Sequence, residues 1–152
     1  MFSAGVDFSA LAADVSGAVR EPFRAHVAGM QAAISRLEGI EKPIVGALHR
    51  YVPGLGLELA LAFDCRVASA DCELGLPEVK LGLVPDVGGT TRLVRTVGYA
   101  RAKELILTGR MIPAADALAI EVLTQSVLKG TADATEGTRA AAERRPPRFT
   151  GR

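Results

Sequence analysis

The segment from Lys42 to Ala68 constrains the fold most, because three short apolar runs follow one another there with a single break between each. Lys42-Pro43 opens a β-like run, Ile44 to Val52, which Pro53-Gly54 ends. Gly56 to Phe63 then reads as a short apolar helix, and Asp64 to Ala68 as a buried strand. Short strands alternating with helices favour an α/β fold over an all-α bundle.

The flanking sequence fits that scheme. Phe23, Val27, Met30, Ile34 and Leu37 recur at spacings of four and three, so Glu21 to Glu38 is expected to be one amphipathic helix stopped at Gly39. Cys72 to Gly75 reads as a brief extended piece before Pro77. Thr90 to Thr96 and Tyr99 to Thr108 read as two helices broken at Gly98. Pro113 suits the first helical position of a helix from Ala114 to about Leu128. An Ala-rich stretch from Asp133 to Arg145 is expected to be the last helix, with Pro146-Pro147 opening an extended basic tail. The first ten residues begin abruptly on a Gly-containing turn, with no strand feeding it.

Composition narrows the possible functions. A chain of 152 residues with 49% hydrophobic content can bury one real core, and a net charge of +1 supplies no field for gripping nucleic acid. Glu58 and Asp64 interrupt the richest apolar stretch, so no run spans a bilayer. There is no Lys or Arg before Arg20, and hence no visible secretory or transit signal. Cys65 and Cys72 match no usual zinc or redox spacing and read as small core residues in a reducing compartment. The expectation is a cytoplasmic protein, without nucleic-acid or membrane partners and without a metal site.

Chemistry concentrates in Gly54-Leu55-Gly56-Leu57-Glu58. Two glycines before a helix leave its first backbone N–H groups pointing outward at the positive end of the helix dipole. Glu58 lies three residues past Leu55, so a donor and a carboxylate can face one small volume. The third glycine of a dinucleotide fingerprint would fall at Leu59, which excludes a Rossmann loop. Glu78 sits among apolar residues in Leu76-Pro77-Glu78-Val79, and Asp86 precedes Gly88-Gly89. Apolar surroundings raise a carboxyl pKa and suit it to acid–base work. The alternatives are an exposed first-turn Glu58, a solvent-facing Glu78 and an Asp86 that caps the next helix. His26 and His49 belong to no catalytic pattern.

Several ordered motifs resemble the enoyl-CoA hydratase/isomerase (crotonase) family: Phe2 to Asp7, Gly54 to Ala68, Gly75 to Pro85, Gly88 to Leu93, and Leu107 to Arg110 with Ala114 to Leu118. The resemblance implies a spiral of ββα units with C-terminal helices that build trimers, often paired into hexamers. It implies an acyl-CoA substrate, no separate cofactor, and an oxyanion hole made by the backbone N–H groups of Val6 and Leu55. Most members carry glycine at the second position, whereas here Leu55 adds a bulky side chain to the same N–H. Glu58 and Glu78 fall on the family's two catalytic glutamates, the first helping to activate water and the second delivering a proton to the α carbon. Asp86 stands where hydratases usually have a small residue and some isomerases an aspartate that moves a double bond. Ser3, Gly5 and Asp7 in the first motif, with Phe149 and Arg152 in the tail, are the implied coenzyme A contacts.

By the same resemblance, residues 1–112 form a partial core carrying the acyl-CoA site, and residues 113–152 a shortened helical region with a basic tail. The first ββα region is expected to be missing ahead of Phe2, with a join near Leu118–Ala119. Unpaired sheet edges and exposed apolar surface would follow. Two functions fit: an acyl-CoA lyase or isomerase, and a non-catalytic crotonase-like protein that binds acyl-CoA or a partner.

Overall fold

Apolar spacing of four and three produces the first helix, α1 (Arg20–Leu37), which turns Val27 and Ile34 into the interior with Phe23 and Met30 half-buried beside them. Gly39 ends it in a turn, donating to the Arg36 carbonyl at 3.2 Å. These elements come from a computed structural model that describes residues 1–7, 20–123, 125–126, 136, 139–140, 143–148 and 150.

The β-like run expected over Ile44 to Val52 is two strands, β1 (Val45–Leu48) and β2 (Tyr51–Pro53), which enter different sheets. The break is Arg50, a non-glycine residue at φ 58, whose left-handed backbone redirects the chain between sheets. Phe2 donates its N–H to the His49 carbonyl at 3.0 Å and sets its ring edge-on against Phe63, so the N-terminal segment is anchored on this corner. Helix α2 (Leu55–Ala60) follows, then β3 (Cys65–Ala68) and β4 (Glu73–Gly75). β1 and β3 pair in parallel in one sheet, β2 and β4 in parallel in the other. Each turn of chain thus gives one strand to each sheet before a helix returns it, which is the ββα spiral.

After β4 come a 3-10 turn (Pro77–Leu81), helices α3 (Gly89–Val97) and α4 (Tyr99–Thr108) broken at Gly98, and β5 (Ile112–Pro113), antiparallel to β4. The next helix, α5 (Ala114–Ala119), is much shorter than the expected Ala114 to Leu128. Pro113 is its N-cap rather than its first turn, and beyond it Glu121 takes φ 65 while β6 (Gln125–Ser126) joins β3 in parallel. Tertiary burial overrides helical periodicity here. Val122 and Leu123 are drawn into the core, and the Val122 carbonyl accepts from Arg66 Nε at 2.7 Å. The same buried guanidinium donates to the Ala60 and Phe63 carbonyls, satisfying the C-terminal end of α2.

Of the helix expected over Asp133 to Arg145, Glu136, Arg139 and Ala140 are helical, whereas Glu143 to Arg145 form a turn. Arg145 and Arg139 close on the Glu136 carboxylate at 2.6 Å each, and the tail is anchored there too, Arg148 donating its N–H to the same carboxylate at 2.9 Å. The main core is continuous from Leu48 and Val52 through Leu57, Leu74 and Leu93 to Ile112 and Leu123. A second cluster, Val27, Ile34, Ala62 and Val87, lies between α1 and the loop before α3. Fully burying side chains of this size contributes about 1.5–3 kcal/mol each. Cys72 is buried, Cys65 half-buried, and His26 and His49 are exposed. Among the described residues, no helix is long and apolar enough to cross a membrane.

Candidate active site

Gly54 ends β2 and starts α2 by adopting φ 53, a conformation open mainly to glycine. Its N–H is tied to the Gly75 carbonyl at 2.9 Å, so the turn is held against β4. Leu55 is the first residue of α2, and its N–H therefore has no carbonyl one turn back to bind. The N-terminal loop lies alongside. Gly5, at φ 84, donates its N–H to the Ser3 hydroxyl oxygen at 3.2 Å, and a Cβ placed on it would stand 3.1 Å from the Pro53 carbonyl and 3.8 Å from the Leu55 nitrogen. Val6 and Leu55 are thereby brought to the mouth of the same cavity, of about 280 Å³.

Three carboxylates line that cavity: Glu58 from α2, Glu78 from the 3-10 turn and Asp86 from the loop before α3. Phe23, Val27 and Met30 of α1 form an apolar wall. Glu58 is only 2% exposed, and its Oε1 accepts the Gly89 N–H at 2.8 Å. Burial pushes its pKa up to about 7, opposed by the N–H groups of Gly89 and Val87 and reinforced by the charges of Glu78 and Asp86. Burial likewise raises Glu78, and the charge of Asp86 adds to the rise. Glu78 Oε2 is buried without a hydrogen-bond partner among the described residues. An orphaned carboxyl oxygen of this kind costs stability and is available to a ligand or water. Burial also raises Asp86 above the ordinary aspartate range.

The alternatives for these carboxylates are thus decided. Glu58 is not an exposed first-turn residue, and Asp86 is no helix cap, because the N-cap of α3 is Gly88 without a side-chain bond. Val6, Leu55, Glu58, Glu78 and Asp86 meet at one cavity. Ser3 and Gly5 shape the loop leading to it, and Asp7 is exposed at its edge. Phe149 and Arg152 lie outside the described residues.

The sequence profile described as Enoyl-CoA hydratase/isomerase matches residues 1–129. The chain belongs to that family. It is 45% identical over 92 residues to a short-chain-enoyl-CoA hydratase of Clostridium acetobutylicum, an overlap covering 60% of this chain and 35% of that protein. It is 40% identical over 113 residues to the peroxisomal fatty acid beta-oxidation multifunctional protein MFP2 of Arabidopsis thaliana, covering 74% of this chain and 15% of that one. Among solved structures, the enoyl-CoA hydratase of Thermoplasma volcanium superposes with a TM-score of 0.78 at 28% identity, covering 95% of this chain and 56% of that one. The chain spans less than half the length of the first bacterial relatives it matches, 43% and 35%.

Within this family fold, two supports of the site were not singled out from sequence. Arg92 is buried and grips the loop before α3, and Gln31 of α1 donates to the Asp86 carbonyl at 2.5 Å. A signal for Arg92 exists, since Gly89, Leu93 and Val97 form the buried face of α3 and Arg92 falls on it. Gln31 carries a weaker signal: it is exposed, but four residues past Val27 and three before Ile34 it flanks the buried face of α1.

Gly54 offers a direct check on this geometry. A Cβ there would stand 2.6 Å from Glu78 Oε1, in a backbone region unsuited to alanine. Gly54→Ala is expected to cost about 1–3 kcal/mol and to displace the Glu78 carboxyl. Thermal melts with a carboxyl titration by NMR measure both, and an unchanged melt with Glu78 titrating as before would contradict the arrangement.

Proposed function

We propose that the chain acts on enoyl-CoA thioesters, adding water across the double bond or moving that bond, through an enolate held by the N–H groups of Val6 and Leu55. The observation that carries this reading is the convergence of three raised carboxyls on an apolar cavity beside the free end of α2. A backbone donor at a helix N-terminus stabilises a developing oxyanion better than the ground-state carbonyl, because the negative charge forms only in the transition state.

In hydration, Glu58 takes a proton from water while the water oxygen bonds to the β carbon. Glu78, protonated, gives its proton to the α carbon, and the enolate collapses to the thioester. Glu58 then returns its proton to solvent and Glu78 regains one, so the atoms balance. With a pKa near 7, Glu58 is available as a base at neutral pH, and burial shifts Glu78 in the direction that favours its proton-donating form. The names of relatives support the substrate class, including a hydratase of short-chain enoyl-CoA and a fatty acid β-oxidation protein. The rest of the assignment is part of the same proposal: coenzyme A contacts from Ser3, Gly5, Asp7, Phe149 and Arg152, no separate cofactor, assembly as a homotrimer or hexamer, and a cytoplasmic setting. Loss of the thioester-conjugated double bond on incubation with a short enoyl-CoA tests the activity. Tight binding without turnover would favour the non-catalytic function.

Asp86 separates the two reactions. As a proton shuttle facing Glu78, it has no part in delivering water. Asp86→Ala is therefore expected to reduce double-bond migration at least tenfold more than hydration, on the scale of an acid–base group's usual contribution. Both products, quantified from one substrate at matched folded fraction, give the ratio. Equal losses would remove Asp86 from the isomerase chemistry.

A further inference from the structure

The loop from Asp86 to Gly89 supplies the amide donors that hold Glu58, yet its carbonyls are gripped from the opposite side by α1 and α3. Gln31 Nε2 donates to the Asp86 carbonyl at 2.5 Å. Arg92 Nη1 donates to the Val87 carbonyl at 3.2 Å. The guanidinium is itself fixed by Glu38, just past the end of α1, at 2.8 and 3.3 Å, and by the Ser35 hydroxyl of α1 at 3.1 Å. It lies across Gly88, at φ 111, where a Cβ would collide with Nη1.

Peptide planarity makes the Gln31 contact directional, whereas Arg92, on the Val87 carbonyl and across Gly88, fixes the peptide that precedes the Gly89 N–H. The Asp86 carbonyl and the Val87 N–H belong to one rigid plane and point oppositely, so pulling the carbonyl toward α1 aims that N–H away from α1. The Gly89 N–H is the one that hydrogen-bonds Glu58, at 2.8 Å, and the Val87 amide acts on its charge from the same loop. Gly89 has little freedom to follow another path, since a Cβ there would stand 2.8 Å from Pro85 and 2.9 Å from Glu58 Oε1.

We propose that Gln31 and Arg92 are positioning residues for Glu58, with Glu38 and Ser35 latching Arg92, so that α1 sets the geometry of the catalytic carboxylate through the carbonyls of Asp86 and Val87. The proposal rests on the function assigned above for Glu58, but its structural half stands independently. The titratable groups facing Glu58 are Glu78 from the 3-10 turn and Asp86 from the loop, and none of the test variants alters either one.

The test uses the whole chain with carbon-13-labelled glutamate, following the Glu58 carboxyl by NMR across pH in Gln31→Leu, Glu38→Gln and Arg92→Lys. Gln31 is exposed and the Glu38 side chain is 44% exposed, so the first two variants keep the core intact. Weakening the amide donors should raise the Glu58 pKa by about half a unit to one unit in Gln31→Leu, the scale of one neutral hydrogen bond. Arg92→Lys keeps the charge but loses the fork that reaches the Val87 carbonyl, and its shift should exceed that of Glu38→Gln, which loosens only the latch. With a short enoyl-CoA, kcat should drop several-fold with KM nearly constant, and the acidic limb of the kcat profile should follow the titration. Glu58 titrating as in wild type in folded Gln31→Leu and Glu38→Gln overturns the proposal. Absence of turnover in the wild type would instead defeat the assigned function, while the titration still decides the latch.

Discussion

Glu78→Gln is expected to lower enoyl-CoA turnover by about 10²–10⁴-fold while leaving affinity for the thioester within about twofold. Glutamine preserves the size and one acceptor oxygen but cannot give a proton to the α carbon. The large effect is confined to turnover because, on the proposed function, the carboxyl contributes mainly in the transition state and the coenzyme A contacts are other residues. Glu78 Oε2 has no partner among the described residues, so the substitution breaks no structural bond of that oxygen. The melt should consequently not fall below wild type, and removal of a buried charge should raise it toward alkaline pH. Steady-state kinetics and thioester binding by calorimetry measure the two quantities, and a variant retaining full turnover would remove Glu78 from the mechanism.

Glu58→Gln is expected to end efficient hydration yet stabilise the protein above neutral pH. The carboxyl is pushed up to about 7 from an unfolded value near 4.5, chiefly by burial. Between those values the folded chain holds a proton that the unfolded chain has released, so stability falls as pH rises through this window. Above about pH 7 both states are ionised and the full cost stands, on the order of 3 kcal/mol. Burial of Glu78 and Asp86 adds dependence of the same sign. Glu38, lowered by its bond to Arg92, acts oppositely: its contribution is present above the unfolded pKa and is lost as pH falls. Glutamine at position 58 can still accept the Gly89 N–H without carrying charge. Thermal melts of wild type and variant from pH 4 to 9 should cross, with the variant ahead only at the alkaline end. Parallel curves across the range would show that burial of Glu58 carries no such cost.

The α/β scheme and the site's chemistry are legible in local sequence, for reasons that are themselves local. Gly54 and Gly88 are required by backbone conformation, the break at Gly98 separates two helices, and apolar spacing in α1 identifies its buried face. Ordered motifs added what spacing alone cannot: that Val6, Leu55, Glu58, Glu78 and Asp86 belong to one site. No local rule brings Glu58 and Glu78 together, because they stand on successive turns of the spiral and meet only when β2 and β4 pair.

Other features were decided by tertiary structure alone. Ile44 to Val52 has the pattern of one strand, yet Arg50 bends it so that two sheets share it. The stretch after Ala119 keeps a helical pattern, yet burial of Val122 and Leu123 and the grip of Arg66 on Val122 stop the helix. The proton affinity of Glu58 is likewise invisible in its neighbours along the chain. It comes from desolvation by the core, opposed by amides of a loop that Gln31 and Arg92 hold from its other side. Backbone conformation and face periodicity are properties of adjacent residues, and the sequence by itself determines them. Desolvation and opposing carbonyl contacts depend on groups distant in the chain, so only the packed structure decides them.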